Sequence, residues 1–405
     1  MSPTLARTLA CLTLLAPAYA LEVEGLLDQR LVYSNSPQGW LEGGLSKQRH
    51  DARHDGLRLG QAMLLLRGEL ADNVSAQAVI NLADDRAGAV DVSEAWLRWK
   101  PLPTGPWRHS AKVGAFFPAV SLEHDGLGWT TTRTLSASAI NSWIGEELRT
   151  IGLEYTLARP GRFAGSPHDI SLSLAAFKGN DPAGTLIAWR GWGVGDRITG
   201  LTEKLPLPDL PVYRDDGRIA RQDSRVDNFR ELDGRWGYHA GLQYGYGGRL
   251  ELSAFHYDNR ADPLVVNRGQ YAWTTRFKQL ALRWRPDQEW EILSQWLAGS
   301  TVMGRNAVNA AYRSAYVLAA HPLGSGKLAV RYDYFSSRER DRLPEDPNGE
   351  HGQALALAYS WPWRDGLSVM AEGLVLRSER PARQLLSTPS RQTERSLSLA
   401  LRWRF

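Results

Sequence analysis

The stretch from Thr393 to Phe405 reads TERSLSLALRWRF and alternates between apolar and polar side chains. One face would carry Leu397, Leu399, Leu401, Trp403 and Phe405, and the other would carry Glu394, Ser396, Ser398, Arg402 and Arg404. Residues two positions apart lie on the same face of a β-strand. The stretch therefore predicts a strand with one face for lipid and one for water.

The same alternation recurs along the chain, for example in Gln279 to Arg285 and in Leu328 to Tyr334, with turn residues between the segments. It predicts about sixteen strands, a number found in single-chain bacterial barrels. The predicted strands lie near 22–35, 57–71, 74–82, 91–101, 109–117, 146–158, 168–178, 236–246, 249–259, 273–286, 289–300, 308–321, 326–337, 351–362, 366–379 and 392–405.

The connections between these segments alternate between two classes. Short turns are predicted at 72–73, 102–108, 159–167, 247–248, 286–288, 322–325 and 362–365. The other connections are mostly long: 36–56, 83–90, 118–145, 179–235, 260–272, 301–307, 338–350 and 380–391. Short periplasmic turns and long external loops are typical of outer-membrane barrels. We therefore predict an all-β fold, a transmembrane antiparallel β-barrel in a bacterial outer membrane.

A water-soluble β-sandwich would show the same alternation. However, many of the predicted strands exceed the five or six residues that are usual in soluble sheets. In addition, Trp99, Trp284, Trp361 and Trp403 lie at strand ends, where membrane barrels collect aromatic side chains. Both features favour the barrel.

The segment 1–20 has the features of a secretory signal peptide, and residues 21–405 would then form a single barrel domain. It carries the basic residue Arg7, then an apolar run, then Ala18-Tyr19-Ala20 before the predicted mature start at Leu21. The single cysteine, Cys11, lies inside this segment, so no disulfide is expected. The mature sequence has no apolar run long enough for a membrane-spanning helix.

The composition fits a barrel better than a nucleic-acid-binding protein. Aromatic residues make up 10% of the chain, yet the mean hydropathy is −0.37, as expected when only alternate strand residues face lipid. The formal net charge of +4 is too small to predict nucleic acid as a partner. Only seven of the 48 basic residues are lysine. Arginine suits pore walls and anion contacts, although GC-rich coding is an alternative reason for this bias.

A sixteen-strand barrel is wide enough for an aqueous lumen, so a selective channel needs an element that narrows it. The third long connection, 118–145, is the candidate, because the third loop of porins commonly folds inward. We predict that Glu123, His124, Asp125 and Arg133 form the constriction, and that part of 136–143 forms a short helix.

At this point the chain resembles a known family. The sequence KVGAFFP at Lys112 to Pro118, followed by Ser121-Leu122-Glu123, is similar to a feature of the phosphate-selective porin O/P family. This resemblance implies a sixteen-strand porin that assembles as a homotrimer and has an arginine-lined path for anions such as phosphate.

Alternation also predicts which charged residues face the lumen. The basic ones are Arg30, Arg98, Lys112, Arg283, Arg285, Arg313, Arg331 and Arg402. The acidic ones are Asp28, Glu94, Glu154, Glu251, Asp333 and Glu372. Opposed ladders of charge would orient polar solutes in a transverse field, whereas a ring of one sign would select by charge. Alternatively, these residues simply neutralise one another between neighbouring strands.

The connection 179–235 mixes Trp189 and Trp192 with glycines and with a charged run from Tyr213 to Arg235. We predict a long external loop here, with folding over the pore mouth as an alternative. A hairpin within it would raise the strand number to eighteen.

The sequence contains no His-Glu-x-x-His motif and no zinc spacing among its nine histidines. We therefore predict a porin that is not an enzyme, has no cofactor or metal, and lets small hydrophilic solutes or anions diffuse passively across a lipid outer membrane. Three alternatives stay open: a channel for hydrophobic solutes, an outer-membrane hydrolase and an adhesion barrel.

Overall fold

The computed structural model describes residues 21–85, 89–341 and 343–405, and the predicted signal peptide lies outside this part of the chain. Sixteen strands form one closed antiparallel barrel, which confirms the predicted fold class. In chain order they are β1 (Glu22–Ser34), β2 (Gly56–Ala71), β3 (Val74–Leu82), β4 (Val90–Trp99), β5 (Arg108–Phe116), β6 (Thr150–Arg159), β7 (His168–Lys178), β8 (Gly237–Tyr246), β9 (Leu250–Asp258), β10 (Thr274–Trp284), β11 (Glu291–Met303), β12 (Val308–Leu323), β13 (Gly326–Glu339), β14 (Glu350–Arg364), β15 (Leu367–Glu379) and β16 (Arg391–Arg404).

The barrel closes between its first and last strands. β1 pairs with β2 on one side and with β16 on the other, where Leu31 lies opposite Leu399. Beside this ladder, the backbone N–H of Gly25 donates to the carbonyl of Phe405 over 2.7 Å. A closed sheet has no unpaired edge, which is what a sheet in lipid requires because lipid offers no hydrogen-bond partners.

The alternation in the sequence places apolar side chains on the outer face of the barrel and both polar and apolar side chains on its inner face. In β16, Leu397, Leu399 and Leu401 are exposed on the outside, whereas Glu394 and Ala400 are fully buried toward the lumen. The strand-end tryptophans are also exposed, and all lie at the end of the barrel that carries the short turns: Trp99, Trp284, Trp361 and Trp403. Tryptophan collects at membrane interfaces, so this end marks one interface.

In the described part of the chain, no helix is both long and apolar enough to span a membrane.

Two turns begin later than the sequence predicts. The prediction places turns from Pro322 and from Pro362, but β12 continues to Leu323 and β14 to Arg364. Proline cannot donate to the ladder and is tolerated at strand ends and bulges. The β14–β15 pairing indeed shifts register between Pro362 and Arg364.

The long loops form a second apolar core at their end of the barrel, which we call the lid. Its buried side chains come from several loops and include Trp40, Leu45, Trp189, Leu205, Leu210, Val226, Trp273, Leu343 and Ala382. Two small ribbons stiffen the lid, Leu205–Pro206 with Arg225–Val226 and Val266–Asn267 with Gln270–Tyr271. Neither ribbon enters the barrel wall, so the strand number stays at sixteen.

Asp181 ties the start of the fourth long loop to its end and should make stability depend on pH. Its carboxylate accepts the backbone N–H groups of Leu232, over 2.5 Å, and of Asp233, over 3.3 Å. Burial, with the nearby acidic groups of Glu231 and Asp233, raises the pKa of Asp181 to about 7.

In the unfolded chain the pKa of an aspartate is about 4, so the folded chain binds this proton more tightly. The contribution of Asp181 to stability is therefore complete below about pH 4 and is lost as the pH rises through about 7. Between about pH 4 and about pH 7, we expect the Tm to fall with rising pH in the wild type and to fall less in Asp181→Asn, as measured by circular dichroism. Asp227→Asn in the same loop is the control, and an unchanged pH dependence in Asp181→Asn would contradict the assignment.

Candidate functional site

A short helix lies inside the lumen. This helix, α1 (Ala139–Glu147), belongs to the third long loop, and all nine of its residues are buried. The side chain of Ser138 caps it by accepting a backbone N–H of the first turn. The carboxylates of Glu123 and of the wall residue Asp333 accept the N–H groups of Ser138 and Ala139. Negative groups are favourable there because the helix dipole is positive at its N-terminus.

Arg331 on β13 joins this loop to the barrel wall. Its fully buried guanidinium donates to Asp333 over 2.8 Å, to Glu123 over 3.3 Å and to the carbonyl of Ala137 over 2.9 Å. On β15, Glu372 accepts two further backbone N–H groups of the same loop, at 2.8 and 3.1 Å. Buried charges of this kind are costly unless they are paired, so these contacts hold the loop in one position.

Apolar packing completes the attachment of α1. The ring of Trp143 lies edge-on to Phe277 and Tyr312 of the wall, with centroids 5.4 and 5.3 Å away. It also lies 6.0 Å from the ring of Trp192, in the fourth long loop. Aromatic pairs in this geometry gain energy beyond the area that they bury.

This apolar contact overturns one prediction. On β12 the side chains that face α1 and the lumen include Tyr312 and Tyr316, which are buried. Arg313 therefore points outward, where it is exposed and donates to the Oγ of Ser336 over 3.2 Å. The prediction that Arg313 lines the lumen is wrong, because the polar face of a strand points inward only where water fills the barrel.

The other predicted basic wall residues point inward: Arg30, Arg98, Lys112, Arg283, Arg285, Arg331 and Arg402. Several pair with the acidic residue directly opposite on the next strand. The distances are 3.6 Å for Lys112 and Glu154, 3.5 Å for Arg283 and Glu251, and 3.2 Å for Arg402 and Asp28. Mutual neutralisation across strands thus accounts for much of this charge, and a role in selecting solutes stays a prediction.

Of the predicted constriction residues, Glu123 anchors the third loop to the wall, and His124 packs within the loop. Glu123 accepts from Ser138 at the start of α1 and pairs with Arg331. The ring of His124 stacks on Trp129, with centroids 3.6 Å apart. Burial, and then the charge of Arg331, lowers the pKa of His124 to about 3. His124 is therefore neutral at pH 7.

The other two predicted constriction residues, Asp125 and Arg133, form an ion pair near the short-turn end. Arg133 pairs with Asp125 at 2.8 Å and with the wall residue Glu291 at 2.5 Å. Burial alone would raise the pKa of Asp125, but the hydrogen bond and charge of Arg133 hold it below its usual value. That these residues narrow the solute path stays a prediction.

The middle of the fourth long loop also enters the barrel. Trp192 is buried, and its Nε1 donates to the carbonyl of Ser336 over 3.2 Å. The wall residue Gln61 donates to the carbonyl of Asp196 over 3.2 Å. The prediction of an external loop at 179–235 is therefore wrong for this part, since its tryptophans bury themselves against α1 and the lid.

A small polar cavity of about 40 Å³ remains where the first, third and fourth loops meet the wall. We call it the neck. The polar residues that line it are Arg30, Gln48, Arg49, His50, Ser136, Asp196, Glu372, Ser396 and Ser398. A second cavity of about 260 Å³, the outer vestibule, is lined by residues of the first loop, by Arg58 of β2 and by Asp84 and Asp85. Arg49 and His50 line both cavities, which places the neck and the outer vestibule next to each other.

Charges of both signs meet in the neck. Asp196 lies between Arg30, at 2.7 Å, and Arg49, at 3.1 Å, and Arg49 also pairs with Asp85 at 3.0 Å. Burial would raise the pKa of Asp196, but Arg30 and Arg49 outweigh it and hold this pKa well below its usual range. Burial and Arg49 lower the pKa of His50 to about 3, so its ring is neutral.

Sequence reasoning finds only part of this site. Alternation places Arg30 and Glu372 on the inner face, as the structure does. Arg49, His50 and Asp196 come from loops without periodicity, so no pattern points to them. The basic run from Lys47 to His50 is the single hint in the sequence.

No family model and no curated protein sequence matches the chain. Solved structures do resemble it. An anion-selective porin from Comamonas acidovorans is 11% identical, with a TM-score of 0.55 over 96% of this chain and 100% of the porin. OmpF of Salmonella typhi, in complex with daunomycin, is 11% identical, with a TM-score of 0.54 over 95% and 97%. A loop-deletion mutant of OmpT, an outer membrane protein of Vibrio cholerae, is 10% identical, with a TM-score of 0.52 over 96% and 100%.

At these identities the likeness shows the fold alone. The chain is a closed sixteen-strand barrel of the outer-membrane, porin-like type. The resemblance to the phosphate-selective porin O/P family finds no matching family model and stays a prediction.

Proposed function

We propose that this outer-membrane barrel is a channel without enzymatic activity, through which small hydrophilic solutes diffuse passively by way of the outer vestibule and the neck. The observation that carries the proposal is the neck inside a barrel with an apolar outside, with the outer vestibule next to it. The neck touches the wall near the middle of three strands, since Arg30 lies opposite Ala400 and Glu372 lies opposite Ser398. A homotrimer, as the family resemblance implies, is part of this proposal.

The neck favours solutes that carry both charges, or dipoles, over ions of one sign. Arg30 and Arg49 face Asp196 and Glu372 across a small volume, which creates a transverse field. An anion preference, as the resemblance implies, would then be weak and would depend on Arg49, the cation shared by both cavities.

The neck also limits the size of the solute. Its volume of about 40 Å³ is far below the roughly 300–1,000 Å³ of pockets that enclose a small-molecule ligand. Nearby, Arg402 pairs with Asp28 at 3.2 Å and donates to the carbonyl of Thr131 in the third loop over 3.0 Å. We therefore infer a small conductance, and passage of larger solutes only when the loops move.

Planar-bilayer recording of the purified barrel tests the proposal. Stable, ohmic current steps of small amplitude support a diffusion channel, and their block by millimolar zwitterionic solutes supports the transverse field. A folded barrel that stays electrically silent at all voltages would contradict it.

The substitution Arg49→Glu should shift ion selectivity toward cations. It reverses the charge at the junction of the outer vestibule and the neck, where Arg49 faces Asp196 and Asp85. We expect the cation-to-anion permeability ratio to rise at least about twofold, because a reversed fixed charge at a constriction changes the local ion concentrations. The reversal potential in a salt gradient measures this ratio. Arg53→Glu, exposed in the same loop, is the control, and equal shifts in both variants would argue against the neck as the path.

Two alternatives receive less support from the geometry. A channel for hydrophobic solutes needs an apolar path, but the inward apolar side chains of the wall, such as Phe277 and Tyr312, pack against α1. A hydrolase needs an accessible nucleophile. The Oγ of Ser121 lies 2.8 Å from the Nδ1 of His124, but it also accepts the backbone N–H of Glu123, and in the described residues no carboxylate hydrogen-bonds to the His124 ring.

A further inference from the structure

The outer face of β10–β13 changes character along its height. Residues that pair directly across neighbouring strands form rows around the barrel. Counted from the short-turn end, the first three outward-facing rows are largely apolar or aromatic: Trp284, Ile292, Ala319 and Val330; Leu282, Ser294, Val317 and Tyr332; Leu280, Trp296, Ala315 and Tyr334. The next two rows, toward the long loops, read Lys278, Ala298, Arg313 and Ser336, and then Arg276, Ser300, Ala311 and Arg338. We call Arg276, Lys278, Arg313 and Arg338 the cationic patch.

All four side chains of the cationic patch are exposed. Among the described residues, none of the four has a carboxylate within the 4.0 Å that defines an ion pair. Neighbouring strands lie about 4.8 Å apart, and residues two positions apart in a strand are separated by about 7 Å. Lys278 and Arg313 are therefore about 10 Å apart, and Arg276 and Arg338 are about 14 Å apart. On β9, Asp258 lies directly opposite Arg276 but forms no ion pair with it, so the patch keeps a net positive charge.

The ladder leaves room for an anion between the cations. Ala298 lies directly between Lys278 and Arg313, and Ser300 and Ala311 lie between Arg276 and Arg338. These small residues form a shallow floor over which the longer side chains can converge. A phosphate group matches this arrangement, because its oxygens accept several hydrogen bonds at once and guanidinium groups donate in a matching fork.

We propose that the cationic patch binds the phosphate groups of a lipid headgroup in the outer leaflet of the membrane. The patch begins where the lipid-facing apolar rows end, which is the level of the headgroups. The row just below it carries Trp296 and Tyr334 for contact with the acyl chains of the same lipid. The opposite rim carries exposed tryptophans such as Trp284 and Trp403 instead. Lipid binding by the cationic patch does not depend on the channel function.

Native mass spectrometry of the full barrel in detergent tests this inference with lipid A, a bisphosphorylated glucosamine lipid, as the probe. The patch variant replaces Arg276, Lys278, Arg313 and Arg338 with glutamine. The matched control replaces four exposed cations at the short-turn end with glutamine: Lys100, Arg162, Lys327 and Arg364. We expect the patch variant to bind lipid A at least about tenfold more weakly than the wild type, and the control to bind it normally.

A second variant, Ala298→Glu, places a carboxylate between Lys278 and Arg313 without removing a cation, and it should weaken binding as well. Equal binding of dephosphorylated lipid A, or equal binding by the patch variant and the wild type, would overturn the inference. So would full competition by equimolar inorganic phosphate, which would indicate a site for free anions. Loss of an oligomer in the patch variant without any loss of lipid would show that a second copy of the chain covers this face instead.

Discussion

Replacing Arg331 with alanine is expected to release α1 from the wall and to increase the single-channel conductance severalfold, while the barrel stays folded. In the wild type, the guanidinium of Arg331 lies 2.8 Å from the carboxylate of Asp333 and 3.3 Å from that of Glu123. The substitution leaves both carboxylates buried without their cation. Breaking a buried ion pair in this way costs about 3–5 kcal/mol. The substitution destabilises the position of the third loop and not the barrel wall, because the β13 backbone keeps its hydrogen bonds with both neighbouring strands.

Hydrogen exchange of the amides in α1 would report the release, and planar-bilayer recording would report the conductance. Arg338→Ala is the matched control, since Arg338 lies on the same strand but faces outward. Heat-dependent electrophoretic mobility shows whether both variants fold. Folded Arg331→Ala with unchanged exchange and unchanged conductance would show that the ion pairs do not hold the loop.

Replacing Trp143 with alanine is expected to weaken the same attachment by removing its apolar part. Trp143 is fully buried, and its ring packs against Phe277, Tyr312 and Trp192. Truncation of a buried tryptophan to alanine typically costs about 3–5 kcal/mol. The loops inside the lumen should then fluctuate, which we expect to appear as noisier and larger current steps.

Trp296→Ala is the control for this prediction, because Trp296 is a tryptophan on the lipid-facing side of the wall. Its loss should leave the current unchanged. If both variants behave alike, then the effect arises from the stability of the barrel in general and not from the packing of α1. Hydrogen exchange again locates the change in the chain.

The strands were accessible to sequence reasoning because lipid imposes a simple rule on one face. Along Thr393 to Phe405, every second residue must be apolar, and the structure has this face outside. The rule also placed Arg30 and Glu372 correctly on the inside. It failed at Arg313, because Tyr312 and Tyr316 on the same strand bury themselves against α1.

The site itself was only partly accessible. Arg49 and Asp196 lie far apart in the sequence, in loops that show no repeating pattern, yet their side chains meet at 3.1 Å. The position of Glu123 in the third loop predicts a functional role for it. Only the structure shows that it accepts from the start of α1 and pairs with Arg331.

Alternation with a period of two over long segments is enough to predict a barrel with an apolar outside, since few other folds produce it. What the barrel encloses is visible only in the folded chain: a helix and parts of two further loops, with a small neck between Arg30, Arg49 and Asp196. Lipid acts on each residue locally, and this produces a periodic pattern in the sequence. The packing inside the lumen depends instead on contacts between segments that are far apart in the sequence, and such contacts produce no repeating pattern in it.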